Sequence, residues 1–68
     1  QPAADALEQA AKLAPTNIAA LLELGYVYES DKLNDKALAA YERAFEASGR
    51  RDQIARDSID RLKQSKPQ

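Results

Sequence analysis

Laid over itself with a shift of 34 residues, the sequence keeps its small and apolar positions in step. Ala3 falls on Ala37, Leu7 on Tyr41, Glu8 on Glu42, Ala10 on Ala44 and Pro15 on Gly49. Self-similarity at a fixed period of this size marks supersecondary units that cannot bury their apolar faces alone and stack to do so. The match weakens further on, where Gly25 falls on Ile59 and Leu24 on Ser58, although Leu62 still falls opposite Tyr28. Stacked copies of a short unit are the architecture this pattern predicts.

Helix punctuation divides the chain into four segments. Pro2 suits a first helical position, whose N–H has no partner in any case. Pro15 biases the residue before it away from helix, so the first segment runs from Pro2 to Ala14. Thr16 and Asn17 are both good N-caps for a second helix, from Ile18 to about Asp31. "DKLND" reads as a polar turn with Asn34 capping a third helix, Asp35 to Ser48. Gly49 ends that helix through the left-handed step glycine favours. Asp52 caps a fourth helix to about Gln64, and Pro67 closes the chain. No β-branched alternation suggests a strand. Links this short predict antiparallel neighbours, giving an all-α fold in which the first and third helices are versions of one unit.

These positions resemble the tetratricopeptide repeat, a helix–turn–helix unit of the same period. Its pattern is a large residue, Leu-Gly three positions on, Tyr three after the glycine, then Ala, a large aromatic four later, and a closing Pro. Here those positions hold Leu21, Leu24-Gly25, Tyr28, Ala37, Tyr41 and Gly49, with Ala44 as the small residue between the last two. Leu21 replaces Trp, Tyr41 replaces Phe and Gly49 replaces Pro. Lys32 stands where a turn glycine is common, and Leu33 comes one residue before the usual hydrophobic. The resemblance implies an α-solenoid segment of antiparallel helix–turn–helix repeats. Residues 18–51 form one complete repeat, and residues 2–17 are the second helix and closing turn of a preceding one. Residues 52–65 are a capping or next-repeat helix, and 66–68 a tail. An array that starts in mid-repeat is expected to belong to a longer protein.

Gly25 is the local exception that this architecture explains. A mid-helix glycine costs about 1 kcal/mol relative to alanine. Leu21, Leu24, Gly25 and Tyr28 share one helix face, at i, i+3, i+4 and i+7. A missing side chain there is expected to let the partner helix, presenting Ala37 and Ala44, come close.

Composition narrows the chemistry. Alanine supplies 14 of the 30 apolar residues, so the helices are expected to pack closely around a thin core. The chain has no His and no Cys. Ser–His and Cys–His nucleophilic sites, zinc sites and Glu-x-x-His di-iron sites are therefore excluded. Carboxylate pairs such as Asp57 with Asp60, or Glu23 with Glu29, fall on faces expected to be wet. The two glycines make no phosphate loop. Catalysis and cofactors are not expected. No apolar run approaches the ~18 residues of a membrane span, and no signal peptide is visible. Charge is uneven: residues 1–49 hold four basic and eight acidic side chains, and residues 50–68 hold six and three.

Tyr28, Tyr41 and Phe45 take repeat-core positions. Tyr26 lies two residues from Tyr28 and so points about 160° away around the helix. In tetratricopeptide arrays the first helix of each repeat lines a concave groove. The resemblance thus implies a groove of Ala19, Leu22, Glu23, Tyr26 and Glu29, extended by Gln53, Arg56, Asp60 and Lys63 of the last helix. Such a surface suits a peptide or protein ligand, with Tyr26 as an amphipathic anchor. Contact with an adjacent repeat or with the terminal helix is the other reading of Tyr26. Arrays that clamp acidic chaperone tails carry Lys and Asn where this chain has Leu22 and Tyr26, so that ligand is not expected. Two rival functions stay open. One is a purely structural segment that extends an array or self-associates through its end helices. The other is nucleic-acid binding through Arg50, Arg51, Arg56, Arg61, Lys63 and Lys66, which a steep salt dependence would reveal.

Overall fold

The computed structural model describes residues 2–64. It contains four helices, α1 (Pro2–Leu13), α2 (Ile18–Ser30), α3 (Asn34–Ala47) and α4 (Gln53–Gln64), and no strand among the described residues. Lys66 and Pro67 lie outside them. Each helix packs on the next in sequence, α2 on α3 most extensively. The result is a slab of 37 × 28 × 12 Å in which every helix keeps a face to solvent.

The helix ends follow local chemistry. Asn17 caps α2, its Oδ1 accepting the Ala20 N–H at 3.2 Å. Asp52 does the same for α4, its Oδ2 accepting from Ala55 N–H at 2.8 Å. At the end of α2, Leu33 N–H donates to the Tyr28 carbonyl at 2.8 Å and Lys32 N–H to Glu29 at 2.9 Å. This is a Schellman closure, and it puts Lys32 at φ 62°. A left-handed lysine costs roughly 1–2 kcal/mol that glycine would not. The end of α3 repeats the closure, with Arg50 N–H on Phe45 and Gly49 N–H on Glu46, and here Gly49 takes φ 74° as expected. Ser48 Oγ then receives the N–H groups of Arg51 and Asp52 and donates to the Phe45 carbonyl, which fixes the link into α4.

Two details depart from the sequence reading. Asn34 does not cap α3 but is its first residue; Leu33 holds the cap position without a side-chain bond. The closure of α2 consumes Leu33 N–H, and its carbonyl at once accepts Ala37 N–H at 2.9 Å, so α3 starts one residue early. The second departure concerns Gly25. A Cβ built there would lie 2.5 Å from Tyr41 Cε1 and 2.7 Å from Cδ1 and Cζ. The space serves the ring of Tyr41, not the close approach of Ala37 and Ala44.

The core is as thin as the composition suggested. Seven of the thirteen buried apolar residues are alanines, and the largest fully buried side chains are Tyr41, Leu21 and Leu24. Small residues bring helices together, but they bury little area each. Stability therefore rests on a few large side chains.

Candidate functional site

The predicted groove begins on α2. Ala19 and Glu23 are exposed, and Leu22 is half-buried, packing against both parts of the core. Tyr26 is 47% exposed. Its ring meets Tyr41 edge to face, with centroids 5.8 Å apart and planes at 68°. Aromatic pairs favour this offset geometry, which places a positive ring edge on a negative face. Tyr26 is thus braced from below by a fully buried ring while its outer half faces solvent.

Glu29, one turn further on, is occupied. Its Oε1 accepts the Tyr41 hydroxyl at 2.7 Å and Arg61 Nη2 at 3.0 Å, and Arg61 Nη1 binds Oε2. The Arg61 hydrogen bonds hold its carboxyl below the ordinary value; burial opposes this and the Tyr41 hydroxyl assists. Burial first, then Glu29, pushes the Tyr41 phenol upward. A second cluster of the same composition sits across α1, α2 and α3. Glu8 Oε2 accepts from the Tyr28 hydroxyl at 2.8 Å, and its Oε1 pairs with Arg43 at 3.3 Å. The Tyr28 hydrogen bond is the main reason that Glu8 also titrates low, with Arg43 adding to it.

Both carboxyls have lower pKa values folded than unfolded. Their contribution is complete above the unfolded value near 4.5 and disappears as pH falls through the folded value. The melting temperature should therefore hold from neutrality down to about pH 5 and drop below about pH 4.3. Thermal melts of the parent and a Glu8→Gln/Glu29→Gln double variant test this. The double variant should fall less steeply in acid; identical acid limbs would show that neither carboxyl is engaged.

Arg56, Asp60 and Lys63 line a cleft of about 620 Å³ between α3 and α4, whose other walls are Glu42, Phe45, Glu46, Arg50 and Ile59. None of the five α2 candidates lines it. Gln53 is exposed and donates to Asp57 Oδ1 at 2.8 Å. Three of the nine candidates thus share this cleft, while Gln53 and the five α2 residues do not line it. Sequence reasoning missed Glu42, Glu46 and Ile59 as cleft residues. The signal was present in Ile59, a large residue at the register position of Gly25. Of the basic set, Arg61 is held by Glu29, and Arg50 pairs with Glu46 at 3.6 Å. Arg51, Arg56 and Lys63 are exposed.

Among the described residues no group of acidic side chains could hold a metal ion, and no helix is long and apolar enough to cross a membrane. No family model matches this chain, and neither does any curated protein or solved structure.

Proposed function

We propose that this chain is a tetratricopeptide-type helical segment that holds a peptide or protein surface on the exposed face of α2, without catalysis. One observation carries the reading: Tyr26 is half-exposed yet fixed by an edge contact with the buried ring of Tyr41. A free tyrosine loses rotamer freedom when a ligand orders it, and an anchor fixed in advance has less to lose. Ala19 and Glu23 beside it give a small apolar step and a carboxylate, so a ligand with an apolar side chain next to a basic one is complementary. The slab shape supports an open array, because a chain 12 Å thick offers broad faces. Nucleic-acid binding is the weaker reading, since Arg61 and Arg50 are engaged by carboxylates.

A peptide-display library panned on the full chain supplies the test. Peptides selected by the parent should lose affinity tenfold or more on Tyr26→Ala, while helicity by circular dichroism and the melting midpoint change little. Two results would sink the proposal: selected peptides that bind Tyr26→Ala unchanged, or a Tyr26→Ala chain that unfolds.

A further inference from the structure

We propose that copies of this chain stack head to tail, the outer face of α1 from one copy seating in the α3–α4 cleft of the next. Ala3, Ala6, Ala10 and Leu13 recur at i, i+3, i+7 and i+10, one face of α1. Thirty-four residues on, their counterparts are Ala37, Ala40, Ala44 and Ala47 of α3. The first three of those are 0%, 1% and 0% exposed. In α1 most of the same stripe is uncovered: Ala3 and Ala6 are exposed, Leu13 is 86% exposed, and only Ala10 is half-buried. A leucine exposed to that extent is ordinary when single, but here it continues an apolar stripe whose counterpart is packed.

The cleft has the complementary form. Its apolar floor is Phe45 of α3 and Ile59 of α4. In the α2–α3 contact a large ring, Tyr41, fills the space over Gly25. Moved by 34 residues, that pair becomes Leu7 of the incoming copy over Ile59. A ring over no side chain is thus replaced by two aliphatic side chains that together carry as many heavy atoms as the tyrosine side chain does. The polar edge transposes as well. Glu8 accepts from Arg43 within the chain; the same shift sets exposed Glu42 opposite Gln9, an exposed amide donor. Charge does not oppose the contact, because the cleft lining balances Glu42, Glu46 and Asp60 against Arg50, Arg56 and Lys63.

The two surfaces are different and lie at opposite ends of the helix order, so the contact is heterologous. Such a contact grows beyond a dimer, into a ring where the rotation closes and an open chain where it does not. Tyr26 takes no part in it, so failure of stacking leaves the peptide-binding proposal where it stands.

Sedimentation velocity on the full chain, up to about 1 mM, where weak contacts become populated, provides the first measurement. The average mass should climb past that of a dimer as concentration rises. Ala6→Glu blocks the α1 face and Asp60→Trp fills the cleft. Both positions are exposed, so both variants should keep the parent's circular dichroism. Each should be monomeric alone, and an equal mixture should give one heterodimer and nothing larger, since each partner keeps one working end. A parent that stays monomeric, a parent that stops at a dimer, or a mixture that stays monomeric would each overturn the proposal.

Discussion

Tyr41→Ala should leave the chain largely unfolded at room temperature. Tyr41 is the largest fully buried side chain. Its ring fills the space over Gly25, braces Tyr26 and carries the hydroxyl that Glu29 accepts. Truncating a buried aromatic costs about 3–5 kcal/mol through lost transfer energy and the cavity left behind. At roughly 0.05–0.15 kcal/mol per residue, a chain of this size has about 3–10 kcal/mol in total, and so small a core holds it near the lower end. Seven alanines among the buried residues cannot collapse far enough to refill the hole. Tyr41→Phe is the control, keeping the ring and losing only the hydroxyl contact, for about 1 kcal/mol. Far-UV circular dichroism with thermal melts distinguishes the two. A Tyr41→Ala chain that melts cooperatively within a few degrees of the parent would mean that the ring is not the main support of the core.

Gly25→Ala should also destabilise, although helix propensity alone predicts the opposite. Alanine gains about 1 kcal/mol as a helix former. Its Cβ, however, would sit 2.5–2.7 Å from three atoms of the Tyr41 ring. That ring is fully buried and cannot swing out to solvent. Overpacking of this kind costs about 1–3 kcal/mol and sometimes more, so the steric term exceeds the gain. Gly25→Leu should be worse still. The two sites share one space, so Gly25→Ala combined with Tyr41→Leu should cost less than the sum of the single changes. Urea titrations of the four chains give the coupling directly. An alanine variant more stable than the parent, or strict additivity in the double variant, would show that Gly25 does not exist to seat Tyr41.

Gly25 also marks the limit of what periodicity reveals. The helix face it occupies was legible, and so was the need for a small residue there, because both follow from spacing along one helix. Which neighbour enters the space depends on the rotamer of a side chain sixteen positions away, which spacing does not encode. Helix ends were legible to within a residue because Pro15, Asn17, Gly49 and Asp52 act locally. Asn34 misled only because the closure of α2 and the start of α3 overlap at Leu33. Glu29 is the opposite case. Its acidity and its position on α2 suggested an open groove, whereas its partners come from α3 and α4, 12 and 32 residues away. Long-range ionic pairing leaves no periodic trace. That Arg56, Asp60 and Lys63 line a cleft with α3 likewise depends on how α4 rotates against α3, which the amphipathic pattern fixes only coarsely.

Glu8 and Glu29 each receive a tyrosine hydroxyl from the helix after their own and an arginine from the helix after that. A row of helices that touched only adjacent members could fray from either end, one member at a time, with each loss independent of the rest. These two carboxylates introduce next-nearest-neighbour coupling. Detaching α4 breaks a bond to α2 as well as its packing on α3, and detaching α1 does the same to α3. Each partly exposed ion pair is worth little by itself, about 1 kcal/mol or less. Their placement matters more than their strength, because it makes the terminal helices share the fate of the middle. A row this thin can in that way melt as a single cooperative unit, without a large core to enforce it.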